Sequence, residues 1–85
     1  MASYRVVITH AAEKELGGLE KYILSSIWED IRALSSEPRP GGSIKLKGME
    51  KSYRLRVRDY RIIYRIDDKQ KVVTIVGVKH RREAY

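Results

Sequence analysis

An α+β fold is predicted, with an N-terminal strand, a helical hairpin and then a three-stranded antiparallel meander, the helices packed on one face of the sheet. Three features carry this reading. The run YRLRVRDYRIIYRI, Tyr53 to Ile66, alternates apolar and basic residues on either side of Arg58-Asp59, as two half-buried strands joined by a tight turn would. Upstream, apolar residues recur every three or four positions from Ile23 to Leu34, the spacing of one helix face. Downstream, VVTIVGV from Val72 to Val78 is β-branched and apolar and follows the polar turn Asp67 to Gln70.

The elements follow in order. Tyr4 to Thr9 is rich in Val and Ile and reads as a strand. Thr9 is placed to cap a first helix, with Glu13 and Glu15 complementing the helix dipole and Ala12, Leu16 and Leu19 on one face. Gly17-Gly18 ends it. A second helix starts near Leu19 or Glu20 and carries the stripe Ile23, Ile27, Ile31 and Leu34, widened by Leu24 and Trp28. Pro38, Pro40 and Gly41-Gly42 stop it. Ser43 to Met49 reads as a basic connection with a turn at Gly48, and strands follow at about Tyr53 to Val57, Tyr60 to Ile66 and Val72 to Val78.

Register follows from the turns. With Arg58-Asp59 as the first turn, Val57 pairs with Tyr60, Arg56 with Arg61, Leu55 with Ile62, Arg54 with Ile63 and Tyr53 with Tyr64. With Asp67 paired to Gln70, Tyr64 faces Val73, Ile62 faces Ile75 and Arg61 faces Val76. One face is then apolar and includes Tyr53, Tyr60 and Tyr64, and the other gathers Arg54, Arg56 and Arg61. Like charges directly opposite on neighbouring strands repel, so the Arg56–Arg61 pair points to an anionic ligand, phosphate first.

At 85 residues, the chain is expected to form a single domain spanning 1–85, near the lower limit for a core without staples. It has no cysteine, which excludes disulfides and a thiolate nucleophile and fits a reducing cytoplasm. The start MASYRVVITH has neither the apolar run of a signal peptide nor that of a membrane span, so a soluble intracellular protein is expected. The net charge of +7 is one-sided: Met1 to Ser43 has five Lys/Arg against six Asp/Glu, and Ile44 to Tyr85 has thirteen against five. Such asymmetry suits a polyanion, most often nucleic acid. No Cys/His spacing or carboxylate cluster supports a metal site, and Asp67-Asp68 belongs to a turn.

Three segments, KLKGM (Lys45 to Met49), the hairpin Tyr53 to Ile66 and the ending GVKHRREAY (Gly77 to Tyr85), resemble in order and spacing the RelE-type toxins of bacterial and archaeal toxin-antitoxin modules, within the RelE/ParE superfamily. The likeness covers essentially the whole chain. It implies a cytoplasmic, cofactor-free and metal-independent endoribonuclease that binds the ribosomal A site, cleaves the messenger there and is neutralised by a cognate antitoxin, with no membrane or small-molecule partner. It also implies that Arg54, Arg56, Arg61, Arg81 and Tyr85 carry catalysis. Some members have Lys where this chain has Arg54 and Arg56; arginine stays charged and cannot act as a base, so no proton transfer is assigned to those positions here.

RNA can supply its own nucleophile, the 2′-hydroxyl, leaving the protein to orient the nucleotide, neutralise phosphoryl charge and move protons. Arg61 and Arg81 are assigned to transition-state charge, and Arg54 and Arg56 to phosphate positioning. Proton transfer falls to Tyr85, whose phenol needs nearby cations to lower its pKa, or to His80. Lys45, Lys47, Lys51, Arg58, His80 and Arg82 are expected to contact RNA. His10 is read as structural, and Trp28 as core or partner surface. Two other readings stand beside this one: a ParE-like toxin that inhibits DNA gyrase by binding, and an RNA-binding module without catalysis, which the lack of exposed strand aromatics disfavours.

Overall fold

The computed structural model describes residues 3–49 and 51–82. The elements are β1 (Arg5–Ile8), α1 (His10–Gly17), α2 (Lys21–Ala33), β2 (Ser43–Lys45), β3 (Ser52–Val57), β4 (Tyr60–Asp67) and β5 (Val72–His80). They form one five-stranded sheet in the order β1-β5-β4-β3-β2, in which β1 runs parallel to β5 and every other pair is antiparallel. The predicted α+β class, helical hairpin and meander are all present.

Thr9 is the pivot between strand and helix. Its hydroxyl oxygen accepts the Ala12 N–H at 3.2 Å and its O–H donates to the Ile75 carbonyl at 3.0 Å, so one side chain both caps α1 and ties it to β5. The two helices close one face of the sheet. Ala12 and Leu16 of α1, Ile27 and Ile31 of α2, and Leu34 beyond it are buried against Leu55, Val57, Ile62, Tyr64, Ile66, Val73, Ile75 and Val78. Tyr53, Tyr60 and Trp28 pack against this cluster, as expected of them. Tyr64 is fully buried; its O–H donates to the Pro38 carbonyl at 2.8 Å, and burial pushes its phenol pKa up. His10 lies on the surface near Glu13. Among the described residues no helix is long and apolar enough to cross a membrane.

The β3–β4 hairpin has the predicted register at every pair, including Arg56 opposite Arg61. Two expectations are corrected. Ser43 to Lys45 is an edge strand, β2, with Ile44 opposite Arg54, so the sheet has five strands where four were expected. The second hairpin is also looser: Asp67 pairs with Val72, Tyr64 with Ile75, and a bulge between Ile63 and Tyr64 then sets Ile63 opposite Gly77, Ile62 opposite Val78 and Arg61 opposite Lys79. Val76 is the extra residue that the bulge absorbs.

The longer turn is explained by what holds it. The Asp67 carboxylate accepts the Gln70 N–H at 3.0 Å. Asp68 accepts Nη1 and Nη2 of Arg39 at 3.2 and 2.7 Å and the Tyr4 hydroxyl at 2.7 Å, joining the turn to the loop after α2 and to the strand entry. Arg39, whose guanidinium pKa is raised by the same contacts, also donates through Nε to the Tyr53 hydroxyl at 3.1 Å. These bonds, Arg39 first, lower the Asp68 carboxyl to about 2. A depressed folded-state pKa stabilises above the unfolded value, near 3.8, and that stabilisation is lost as pH falls through about 2. Urea unfolding of Asp68→Asn and the parent should therefore differ at neutral pH and converge below pH 2. A constant difference across that range would show that the carboxylate charge contributes nothing.

Candidate nucleic-acid interface

The face of the sheet not covered by helices carries the cations. Alternation along β3 and β4 sends Leu55, Val57, Ile62 and Tyr64 inward, so Arg54, Arg56 and Arg61 emerge on the opposite side. They converge on a shallow cavity of about 130 Å³ whose other walls are Gly42 and Ile44. Ile44 is half exposed and supplies an apolar wall beside the guanidiniums. Nη1 of Arg61 is shut off from solvent, so this head group is held within the cavity rather than waving above it. Nε of Arg56 donates to the Arg58 carbonyl at 3.3 Å, which fixes its stem along the turn.

The bulge adds a cation that the sequence reading missed. Arg56, Arg61 and Lys79 form one row across β3, β4 and β5, with neighbouring side chains about 5 Å apart at their Cβ atoms. At the end of the row stands Glu15 of α1. Its Oε1 accepts the Val78 N–H at 2.9 Å and its Oε2 pairs with the Lys79 ammonium. Strand β1 ends at Ile8, so beyond that point the edge of β5 has no strand neighbour, and Glu15 satisfies a backbone donor there. The apolar run from Val72 to Val78 hides the change of phase, and a glycine within a strand, Gly77, was the one available signal of a bulge.

The other predicted residues are distributed unevenly. Arg81 begins the segment after β5, and its N–H donates to the Asp59 carbonyl at 2.7 Å, which brings it to the Arg58-Asp59 turn at the Arg56–Arg61 end of the sheet. Arg58 adopts a positive φ of 56° and places its guanidinium carbon 5.7 Å from the centre of the Tyr22 ring on α2, away from the cation row. His80 pairs with Tyr60 and meets its ring edge-on at 5.1 Å, on the helix side of the sheet, and its Nδ1 accepts the Arg82 N–H at 3.3 Å. The structure thus brings together Arg54, Arg56 and Arg61 and sets Arg58 and His80 apart from them. Lys45, Lys47, Lys51 and Arg82 are exposed. Tyr85 lies outside the described residues. No group of His, Cys, Asp and Glu suited to a metal occurs among the described residues.

Chemically, this arrangement presents three guanidiniums beside an apolar wall, a setting suited to an anion. Comparison with known proteins agrees with the likeness read from the sequence. The profile of the ParE toxin family of type II toxin-antitoxin systems matches residues 6–85. Toxin RelG of Mycobacterium tuberculosis is 34% identical over 83 residues, spanning 96% of this chain and 95% of that protein. Among solved structures, the archaeal RelE in its complex with RelB from Pyrococcus horikoshii superposes with a TM-score of 0.85 at 36% identity, covering 95% of this chain and 98% of that one. RelE in the intact E. coli RelBE toxin-antitoxin complex gives a TM-score of 0.81 at 25% identity, covering 92% and 96%.

Proposed function

Because the chain belongs to the RelE/ParE superfamily of type II toxin-antitoxin toxins, we propose that it is an RNA-cleaving member: a metal-independent endoribonuclease that enters the ribosomal A site in the cytoplasm and cuts the messenger there. The observation that supports this reading most is the convergence of Arg54, Arg56 and Arg61 on one small cavity of the uncovered face. Three guanidiniums aimed at one point match the compact charge of a phosphoryl group.

The reaction asks little else of the protein. The 2′-hydroxyl oxygen bonds to the adjacent phosphorus as the bond from phosphorus to the 5′-oxygen breaks, leaving a 2′,3′-cyclic phosphate and a 5′-hydroxyl. One proton leaves the 2′-hydroxyl and one is delivered to the 5′-oxygen. Arg61 and Arg81 stabilise the charge that grows on the non-bridging oxygens, and Arg54 and Arg56 hold the phosphate while Ile44 bounds the space beside it. Tyr85 is the proposed proton-transfer group, because no described arginine can serve as a base and His80 faces the helix side. The cognate partner is an antitoxin, as in the archaeal and E. coli complexes, and an acidic or amphipathic segment folding over the cationic face would neutralise it.

Induced expression is expected to halt translation and growth, and primer extension should find breaks in messengers only where ribosomes are present. The family profile that matches is that of ParE toxins, which keeps gyrase inhibition as the second reading. Growth arrest with intact messengers and trapped gyrase-DNA complexes would establish it and remove the ribonuclease.

A further inference from the structure

The uncovered face holds a second and larger cleft, of about 520 Å³, at the other end of the strands. Its floor is Val72 and Thr74 of β5; its walls are Arg5 of β1, Arg65 of β4 and Lys51, the residue preceding β3. The register explains why three cations from separate parts of the chain meet here. Arg5 lies opposite Val72, and Arg65 and Val7 flank Thr74 from either side, so both arginines point outward across the same strand. Lys51 is brought in by its carbonyl, which accepts the Ile66 N–H at 3.0 Å.

The cleft gathers three cations and presents them to solvent. Among the described residues, the side chains of Arg5, Lys51 and Arg65 make neither an ion pair nor a hydrogen bond. Among the described residues the acid on the rim is Asp67, which is engaged with the Gln70 N–H in the turn. Lys51 also has a φ of 59°, a left-handed conformation that glycine or asparagine adopts at less cost. Arg61 and Arg65 both point outward from β4 with Ile63 between them, four residues or about 13 Å apart. That separation is too long for one phosphate to bridge, so the two sites take separate phosphates.

We propose that the cleft formed by Arg5, Lys51 and Arg65 is a second phosphate-binding site, one that grips the backbone of ribosomal RNA while the Arg54–Arg56–Arg61 cavity holds the scissile phosphate of the messenger. This rests on the ribonuclease reading for the identity of the RNA. Two guanidinium forks and an ammonium facing Thr74 favour phosphate oxygens. The second site contributes to affinity and the first to the chemical step.

The test is co-sedimentation of the full-length protein with vacant ribosomes over a salt series, in parallel with single-turnover cleavage on programmed ribosomes. Replacing Arg5, Lys51 and Arg65 together by glutamine should weaken ribosome binding about tenfold or more and reduce the slope of log affinity against log salt by about three, one for each lost phosphate contact. In cleavage, the loss should appear in the half-saturating ribosome concentration rather than in the maximal rate. Should the triple variant fail to fold, each single substitution should still lower the slope by about one. Wild-type slope and affinity in a folded variant would overturn the proposal while leaving the ribonuclease reading intact. Loss of antitoxin affinity with ribosome binding unchanged would overturn it as well, assigning the cleft to the antitoxin. A slope that falls as expected in a protein that cleaves no messenger would uphold the cleft and remove the ribonuclease. A wild-type protein that ignores ribosomes would overturn both.

Discussion

Arg61→Ala should lower messenger cleavage by about a hundredfold to a thousandfold, the usual cost of removing one preorganised donor from a developing oxyanion. The same change should leave the fold intact or raise its stability by up to about 1 kcal/mol. The two expectations have one cause. Arg61 stands directly opposite Arg56 on the neighbouring strand, so two like charges face each other there, while Lys79 on its other side is paired with Glu15. Arg56→Ala relieves the same contact and should behave similarly, with the larger effect on phosphate positioning. Core substitutions should do the reverse. Ile62 adjoins Arg61 in sequence but points inward and is fully buried, so Ile62→Ala should cost roughly 2 to 5 kcal/mol through the cavity it leaves. At temperatures where the variant stays folded, its cleavage rate should be near wild type. Thermal melts beside single-turnover cleavage separate the two classes, and an Arg61→Ala protein that unfolds would make that arginine a structural residue.

The hairpin that carries most of the proposed chemistry was readable because its two strands alternate cleanly and a two-residue turn leaves one register that keeps every apolar side chain inside. The second hairpin was not, for two reasons. Val72 to Val78 is apolar at nearly every position, so alternation there does not distinguish one face from the other. The turn length is set by Asp68, whose partners Tyr4 and Arg39 are far away in sequence. The bulge beyond that turn, which changes the phase of β5 after Val76, hid Lys79, and with it Glu15, which the sequence presents only as an acidic residue in a helix turn. The short strand β2 was missed because Ser43 to Lys45 has too few residues to show a period, although its Ile44 forms a wall of the candidate cavity. The second basic cleft was equally hidden, since Arg5, Lys51 and Arg65 are spread over the chain and only the parallel pairing of β1 with β5 gathers them.

Tyr85→Phe should reduce cleavage by about a hundredfold to ten-thousandfold while ribosome affinity stays near wild type. Phenylalanine keeps the ring and any stacking on a base and removes only the hydroxyl, so the change isolates proton transfer. A phenol ordinarily ionises near pH 10, and a base at neutral pH needs cations close by to favour the phenolate, a role that the arginines of the uncovered face are proposed to fill. If Tyr85 is the base, the rate should climb on the alkaline side of neutrality, where the phenolate forms, and that climb should be missing from the Phe variant. His80→Gln should change little. Its ring meets Tyr60 edge-on at 5.1 Å on the helix side, and its Nδ1 accepts the Arg82 N–H, so the imidazole is committed to holding the end of β5. Were the histidine the proton carrier instead, His80→Gln would abolish both cleavage and the dependence of rate on pH near 6 to 7, where histidine ordinarily titrates, and Tyr85→Phe would be nearly silent. Single-turnover cleavage on programmed ribosomes across pH, with Tyr85→Ala added to measure stacking, decides between them. Full activity in both Tyr85→Phe and His80→Gln would take proton transfer away from both side chains.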